Sequence, residues 1–339
     1  MTPSTPSRGA IRVLYTGSRA NPSWEPWGRN MLDALSRSHD VTLVDPARPL
    51  VDQVADRSIA AVVDGYALVT PEVAAAAAGH VRLWQLGSVG YDHVDMPSLA
   101  RNGVPTANCP GFTSSRSLAE EALMLAMMVM RSYNGLVANV EAGRLGAPTG
   151  RQLAGKTLLI IGFGASGREL ARRAAAFGMK MIAIGHRGRD PQLERRFGLS
   201  WMGGLDRLDD ALASADVVSL HVPLTAETRN ILDARRLRLT KAGAVIVNVS
   251  RGGLMDEAAL AEEVRGGHLF GAGVDVVSGE PSRPDHPLRG IPKVIVLPHV
   301  AGATDATARR RARFAALNIS RLRYGLEPLC RVDGLPPQG

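Results

Sequence analysis

The sequence has few lysines, cysteines and aromatic residues, and it contains no long apolar run. Two cysteines, Cys109 and Cys330, are too few and too far apart for a disulfide framework or a zinc site. No apolar run reaches the roughly 18 residues that a membrane-spanning helix needs. The first ten residues are polar and lack the apolar core of a signal peptide, so we expect a loose tail there. These absences favour a cytoplasmic protein with no membrane partner and no metal site.

The basic residues are almost all arginine. Only four of the 40 basic residues are lysine, and the formal net charge is +8. The arginines are scattered along the chain and are not interleaved with aromatic residues, which make up 4% of the sequence. This pattern argues against a nucleic-acid partner. A positive surface should instead attract small anionic substrates.

At 339 residues the chain is long enough for two domains. Short apolar strands alternate with helical stretches in two successive series, which is typical of βαβ units and parallel sheets. The strands of the second series are nearly continuous apolar runs, as expected when both faces of a doubly wound sheet are covered. The predicted strands are residues 11–17, 40–45, 60–65, 81–90 and 104–109, then 156–162, 180–185, 216–222, 243–250, 269–277 and 293–298.

Two long helical segments accompany these strands. Residues 117–143 predict one helix that is apolar nearly all round, so we expect it to be buried between domains or subunits and to support a homodimer. Residues 302–325 predict a helix that is too late and too long for the second sheet alone. We therefore expect it to return to the first domain. The predicted domains are residues 1–108 with 305–339, and residues 109–304.

A glycine-rich turn follows the first strand of the second series. It opens the helix ASGRELARRAAAFG and consists of Gly162, Phe163, Gly164, Ala165, Ser166 and Gly167. The glycines permit a tight turn and a close backbone approach, and the helix N-terminus offers amide hydrogens to a pyrophosphate. Placed between a strand and a helix, this turn predicts a dinucleotide site. The alternative is a purely structural turn.

The next strand ends without the expected acid. A dinucleotide-binding unit usually has Asp or Glu roughly 20 residues beyond the glycine turn, where it holds the ribose. Here the strand leads into Gly185, His186 and Arg187, and the first acid is Asp190. Without a carboxylate a 2′-phosphate is not repelled, and Arg187, backed by Arg189 and His186, can pair with it. We predict that NADP(H) is preferred over NAD(H); the alternative is a solvated basic loop with Asp190 reaching back to the ribose.

Three side chains of complementary chemistry, Arg251, Glu280 and His299, follow later strands of the second series. Ligands of open α/β sheets bind beyond the carboxyl ends of the strands, so we expect the three to converge. A guanidinium grips a carboxylate, and an imidazole beside a carboxylate is a proton donor near neutral pH. Together they indicate hydride transfer to a keto acid. Singly, they are equally well explained as a surface arginine, a turn acid and a loop histidine.

Seven segments then form one ordered set. They are LGSVGYDHVD (86–95), GVPTANCPGFTSSRSLAE (103–120), LAGKTLLIIGFGASGRELARRAAAFGM (153–179), HVPLTAETRNIL (221–232), VIVNVSRGGLMDEAAL (245–260), GAGVDVVSGEP (271–281) and VLPHVAGAT (296–304). In this order they resemble the D-isomer-specific 2-hydroxyacid dehydrogenases. The resemblance covers nearly the whole chain beyond the N-terminal tail, and several motifs in the right order are very specific.

The resemblance implies a role for each part of the reaction centre. Arg251 would bind the substrate, and His299 would be the general acid/base paired with Glu280. Backbone amides of three further residues would hold the substrate carboxylate: Ser88, Val89 and Gly90. A glycine-containing turn of this kind suits an anion, although it is also compatible with an ordinary turn.

The resemblance also implies a fold and a set of cofactor contacts. A Rossmann cofactor domain (109–304) would be inserted in a flavodoxin-like substrate domain (1–108 and 305–339), both doubly wound. Asp275 would contact the nicotinamide amide; we expect it inside the fifth strand of the second series, where an unpaired acid is costly and a structural partner is the alternative. His221, followed by Val222 and Pro223, would line the cofactor, although a capped core histidine is the alternative.

We therefore predict a cytoplasmic reductase that converts small 2-keto acids to D-2-hydroxyacids. Glyoxylate or hydroxypyruvate is favoured because GSVGYDHVD is similar to the loop of that subgroup. Glu280 argues against formate-type relatives, which have glutamine with the histidine. Two alternatives stay open: a phosphoglycerate dehydrogenase-like enzyme, for which the chain leaves no room for a regulatory domain, and a corepressor-like protein that senses NAD(H). A nucleotide-binding protein without catalytic activity would be expected to lack one of Arg251, Glu280 and His299, and all three are present.

Overall fold

A computed structural model describes residues 9–20, 24–65 and 67–336 of the chain. Residues 1–8 of the predicted tail therefore lie outside the described residues. The chain forms two compact units. Unit 1 comprises the described residues of Met1–Thr113 and Ala303–Gly339, and unit 2 comprises Ser114–Gly302. As predicted, each unit is an α/β structure built on a parallel sheet.

The strands and helices alternate along most of the chain. The strands are β1 (Arg12–Tyr15), β2 (Asp40–Leu43), β3 (Ala61–Asp64), β4 (Leu83–Leu86), β5 (Thr106–Ala107), β6 (Thr157–Ile161), β7 (Lys180–Ile184), β8 (Leu199–Gly203), β9 (Val217–Leu220), β10 (Val245–Asn248), β11 (Gly271–Val274) and β12 (Val294–Val296). The α-helices are α1 (Arg29–Ser36), α2 (Leu50–Val54), α3 (Pro71–Ala77), α4 (Met96–Arg101), α5 (Ser115–Met130), α6 (Tyr133–Glu141), α7 (Ala165–Ala176), α8 (Pro191–Phe197), α9 (Leu208–Ser214), α10 (Ala234–Leu239), α11 (Glu257–Arg265) and α12 (Asp305–Arg323). None of these helices, within the described part of the chain, is long and apolar enough to cross a membrane.

Unit 1 is a five-stranded parallel sheet in the order β2-β1-β3-β4-β5. Helices α1 and α12 cover one face, where Leu35 and Ile319 pack with Val13 and Leu83 of the sheet. Helices α2, α3 and α4 cover the other face. All residues of β3 and β4 are buried, which explains why six of their eight residues are apolar. The late helix α12 thus contributes to the core of this unit.

Unit 2 is a seven-stranded parallel sheet in the order β12-β11-β10-β9-β6-β7-β8. Helices α5, α7 and α8 pack on one face, and α9, α10 and α11 pack on the other. Six of the strands were predicted, but β8 was missed. Its sequence LSWMG mixes polar and apolar residues because it lies at the edge of the sheet, where one residue of the strand is exposed.

The prediction of one continuous helix over residues 117–143 is wrong. The chain forms α5 and α6 instead, and Ser132 between them has a left-handed backbone with φ of 53°. A left-handed residue ends a helix because it turns the backbone out of the helical path. Helix α5 is largely buried, whereas α6 has no buried residue, and its Val140 is 79% exposed. Only the first half of the segment is therefore a core helix of unit 2.

Candidate active site

The glycine turn of unit 2 has the close packing that its sequence predicts. Gly162 has φ of 101°, and a Cβ there would lie 2.4 Å from the carbonyl oxygen of His221. A Cβ on Gly167 would lie 2.2 Å from the carbonyl oxygen of Gly162. Only glycine fits at these two positions, because the turn folds tightly against β9 and the start of α7.

The middle of the same turn is open toward a ligand. A Cβ added at Gly164 would meet no heavy atom within 4 Å among the described residues, and Gly164 and Ala165 are exposed at the start of α7. The first turn of α7 contains no acid, while Arg168 there donates a hydrogen bond from Nε to the carbonyl of Phe163 at 3.1 Å. An open backbone, a helix N-terminus and a cation fit the pyrophosphate of a dinucleotide. The Phe163 ring itself is buried against Phe197, so only its backbone is available to a ligand.

The loop after β7 offers no carboxylate to a ribose. Asp190 caps the N-terminus of α8 by accepting the amides of Gln192 and Leu193 at 3.0 Å, so it does not reach back to the end of β7. Arg189 pairs with Glu194 at 3.3 Å. His186 and Arg187 are exposed, and no ion pair is formed by either within the described residues.

His221 follows β9 and is buried. Its Nε2 lies 3.0 Å from Oγ of Ser219, and its Nδ1 lies 3.1 Å from Oγ of Ser166 in the glycine turn. Burial lowers the pKa of His221 to about 4, so the ring is neutral at physiological pH. The ring therefore links β9 to the turn. The next two residues lie beside it: the Val222 side chain packs against Gly162, and the Pro223 carbonyl accepts from Thr228.

An imidazole–carboxylate pair lies beyond β11 and β12. Nδ1 of His299 is 2.7 Å from Oε2 of Glu280, whose other oxygen accepts the amide of Val277 at 3.1 Å. The His299 side chain is 47% exposed, so its remaining nitrogen is accessible to a substrate. Because the carboxylate fixes one ring nitrogen, the opposite nitrogen has a defined direction for proton transfer.

The pair perturbs the pKa of both partners. The hydrogen bond to Glu280 raises the pKa of His299 above its ordinary value, against the opposing effect of partial burial, and the Asp275 charge adds to the increase. Burial acts to raise the pKa of Glu280, but the hydrogen bond and charge of His299, with the Arg251 charge, bring it below its ordinary value. The protonated imidazole is thus stabilised as a proton donor.

Arg251 is brought to the same place by the glycine that follows it. A Cβ on Gly252 would lie 2.1 Å from the carbonyl carbon of Val277, so the segment after β10 packs directly against the segment that leads to Glu280. Asn248 supports Arg251 by donating to its carbonyl at 2.8 Å. The Arg251 charge acts on both Glu280 and His299. The three predicted side chains therefore converge within unit 2.

Asp275 holds the backbone on which His299 stands. It is fully buried, and its two carboxylate oxygens accept the amides of Val300 and Ala301, each at 2.7 Å. Its carbonyl accepts the amide of His299 at 2.8 Å, and His299 is left-handed with φ of 58°. The expectation that Asp275 lies inside a strand is wrong, because β11 ends at Val274. Its amide partners outside the strand explain how a buried acid is tolerated.

The predicted anion-binding turn lies in unit 1, after β4. Its carbonyls are all occupied: Ser88 accepts the amide of Cys109 at 2.9 Å, Val89 accepts Nδ2 of Asn108 at 2.6 Å, and Gly90 accepts Oγ of Ser88 at 2.7 Å. Within the described part of the chain, the amides of these three residues have no acceptor. Fixed carbonyls and unused amides are the features of an anion nest.

Comparison with known proteins decides the family. Residues 123–301 match the family model described as "D-isomer specific 2-hydroxyacid dehydrogenase, NAD binding domain". The chain belongs to this family. A glyoxylate reductase of Thermofilum pendens is 32% identical over 266 residues, which cover 76% of each chain. The crystal structure of a glyoxylate reductase from Paecilomyes thermophila is 26% identical with a TM-score of 0.79, and the match covers 95% of this chain and 98% of that one.

A phosphoglycerate dehydrogenase is also similar to this chain. D-3-phosphoglycerate dehydrogenase of Mycobacterium bovis is 38% identical over 239 residues, which cover 70% of this chain. The match spans only 44% of that relative, so less than half of its length has a counterpart here. The predicted family is confirmed. The fold agrees with that of the glyoxylate reductase structure from Paecilomyes thermophila.

Sequence reasoning missed two residues of this region. Arg168 was not identified, although its position in the first turn after GxGxxG is a signal for an additional phosphate contact. Glu121, on α5, was also missed.

Proposed function

We propose that this 2-hydroxyacid dehydrogenase reduces a small 2-keto acid, such as glyoxylate or hydroxypyruvate, to the D-2-hydroxyacid with NAD(P)H. The observation that supports this most directly is the 2.7 Å contact between His299 and Glu280, with Arg251 acting on both. When bound, the nicotinamide would supply the hydride. The protein supplies a proton donor and a fixed cation.

The roles of the side chains follow from their charges. Arg251 binds the keto acid and polarises its carbonyl through a planar guanidinium. His299 in its protonated form donates a proton to the oxygen that becomes the hydroxyl, and the Glu280 carboxylate stabilises the imidazolium that supplies this proton. The amides of the turn after β4, in unit 1, bind the substrate carboxylate. Unit 1 is thus the substrate domain, and unit 2 is the cofactor domain.

The cofactor contacts come from unit 2. The open middle of the glycine turn and the start of α7 bind the pyrophosphate, with Arg168 close by. His221, Val222 and Pro223 line the cofactor after β9. Asp275 contacts the nicotinamide amide. The packing of His221 and Val222 around Gly162 supports the assignment of the segment after β9.

A panel of 2-keto acids, each run with NADH and with NADPH, tests this function. Glyoxylate and hydroxypyruvate are expected to give the highest kcat/KM, measured as loss of absorbance by the reduced nicotinamide. A phosphorylated hydroxypyruvate belongs in the panel because of the phosphoglycerate dehydrogenase relative, and a clear preference for it would favour that second activity. No turnover of any member, together with capture of peptide partners, would favour a corepressor-like role.

We also propose that NADP(H) is the preferred cofactor. Asp190 is engaged as a helix cap and Arg189 pairs with Glu194, whereas the side chains of Arg187 and His186 are exposed after β7. A Cβ at Gly185 would lie 2.5 Å from Cε of Met202, so an acid there would require Met202 to move. The absence of a ribose acid among the described residues of this loop favours a phosphate.

Arg187→Ala is expected to lower kcat/KM for NADPH by roughly tenfold, because a charge-assisted contact to the 2′-phosphate is lost. The kcat/KM for NADH should stay within about twofold of that of the unmodified protein. Arg195→Ala is the matched control, since Arg195 is an exposed arginine in the last turn of α8, outside the loop after β7. Equal losses with both cofactors, or a higher kcat/KM for NADH in the unmodified protein, would contradict the preference.

The homodimer and the cytoplasmic location stay predictions. Helix α6 supports the former, because Tyr133, Val137 and Val140 are exposed apolar residues on it, and Leu145 shortly after it is 98% exposed. Apolar residues grouped on one exposed helix are typical of an interface. Sedimentation equilibrium measures the oligomeric state directly.

A further inference from the structure

Helix α5 packs unusually close to strand β11. A Cβ on Gly271 would lie 2.8 Å from Cγ1 of Val129, and a Cβ on Gly273 would lie 2.8 Å from Cβ of Leu125. These two glycines let the helix lie directly on the strand. Residues four apart share one face of a helix, and residues two apart share one face of a strand. The next pair in the same register is Glu121 and Asp275; Asp275 follows β11 directly, and its amide still donates to the carbonyl of Asn248 at 2.9 Å, so it continues the direction of the strand.

The register of α5 on β11 brings the carboxyl groups of this pair together. A hydrogen bond between the two side chains is among the causes that raise the pKa of Glu121. Asp275 already accepts one backbone amide on each oxygen. Two carboxylates cannot form a hydrogen bond without a proton between them, and the acceptor role of Asp275 places that proton on Glu121. Glu121 is therefore the donor.

The surroundings favour a neutral Glu121. Burial, followed by the charge of Asp275 and the hydrogen bond to it, raises the pKa of Glu121 to about 8. Other charged groups on or beyond the elements packed against α5 do not offset this effect. Helix α7 has four charged residues: Arg172 and Arg173 pair with Glu169, Arg173 also pairs with Glu120, and Arg168 donates from Nε to the carbonyl of Phe163. Arg251 and His299 follow β10 and β12.

The second carboxyl oxygen of Glu121 differs from the first in its hydrogen bonding. Oε1 is buried, and no described residue donates a hydrogen bond to it. A buried acceptor without a donor is costly, and a ligand that brings an N–H group would satisfy it. The carboxamide of a nicotinamide is a group of this kind.

We propose that Glu121 is a positioning residue for His299: as a neutral carboxylic acid it donates a hydrogen bond that orients the carboxylate of Asp275, which in turn holds the backbone of Val300 and Ala301. Ionisation of Glu121 places two negative charges side by side and breaks this hydrogen bond. The support for the His299 segment is then weakened. This inference rests on the proposed function only for its effect on turnover.

Three variants separate the possibilities. Glu121→Gln keeps the shape and an N–H donor but cannot ionise, whereas Glu121→Leu removes the donor. Glu120→Gln is the matched control, because Glu120 is the adjacent carboxyl on the same helix, is 61% exposed and pairs with Arg173. Thermal denaturation of each variant shows whether it is folded.

The first measurement is an infrared titration of the protein without substrate. The carbonyl band of a protonated carboxylic acid is expected in the wild type and in Glu120→Gln, with loss of the band near pH 8, and it should be absent in Glu121→Gln. This result does not depend on any substrate, so it stands even if the proposed reaction is wrong. If Glu121→Gln leaves the band unchanged, Glu121 is not the protonated group and the inference fails.

The second measurement is the pH profile of keto acid reduction. Glu121→Leu should lower kcat by roughly ten- to a hundredfold at neutral pH, since a hydrogen bond to a charged group is lost. Glu121→Gln should restore most of this loss and should lack the additional decrease that the wild type shows above about pH 8. Superimposable profiles for wild type and Glu121→Gln, or equal losses in both Glu121 variants, would contradict a positioning role.

Discussion

Replacement of His299 by alanine is expected to lower kcat for 2-keto acid reduction by roughly 10²- to 10⁴-fold. The imidazole is fixed by Glu280 at 2.7 Å and is accessible on its other side, so its loss removes the proton donor of the reaction. The backbone of the segment should persist because Asp275 holds the amides of Val300 and Ala301. Single-turnover loss of reduced-nicotinamide absorbance measures the effect on chemistry. Cofactor affinity, from fluorescence titration, should be nearly unchanged.

The rate of keto acid reduction is expected to depend on pH through the protonation of His299. Reduction needs the protonated ring, and the hydrogen bond to Glu280 raises its pKa. Reduction is therefore fast at low pH and declines as pH rises through that raised pKa, while oxidation of the hydroxyacid changes in the opposite direction. Glu280→Gln should shift the decline to lower pH. A variant without His299 that keeps a normal rate, or a decline that Glu280→Gln does not move, would rule out this assignment.

Replacement of Arg251 by alanine is expected to lower kcat/KM by roughly two to three orders of magnitude. The guanidinium is a cation of the site, because its charge acts on the pKa of both Glu280 and His299. Without it the substrate loses a planar two-point contact, and a lysine cannot supply the same geometry. Arg251→Lys should therefore recover only part of the loss. Initial rates over a range of keto acid concentrations give kcat and KM separately.

A matched control for Arg251 is available in the same unit. Arg238 is an exposed arginine at the end of α10, so Arg238→Ala changes the net charge equally but should leave kcat/KM within about twofold. If Arg251→Ala and Arg238→Ala behave alike, the effect is one of overall charge, and Arg251 does not bind substrate.

The parts of the site that could be predicted are those set by local sequence. The turn at 162–167 requires glycine because its backbone touches its neighbours, and this leaves a visible pattern. The side chains after β10, β11 and β12 could be placed together because the carboxyl ends of parallel strands lie at one edge of a sheet. The sequence also indicated the missing acid after β7, and the structure adds that Asp190 is engaged as a helix cap.

Other features depend on packing between segments that are distant in sequence. The edge strand β8 has no apolar pattern because only its neighbour β7 pairs with it. The break between α5 and α6 at Ser132 is a backbone conformation that apolar periodicity does not reveal. Exposure of α6 was likewise invisible in a segment rich in methionine and leucine.

The sequence by itself determined the family, the two parallel sheets and the residue types that the reaction needs, because these follow from strand patterns and local motifs. Only the tertiary structure placed Glu121 beside Asp275 and gave Asp275 the amides that support His299. The physical reason is distance along the chain: the two acids come together only when α5 packs on the glycines of β11. The charge and hydrogen bonding of a buried carboxyl are set by that packing.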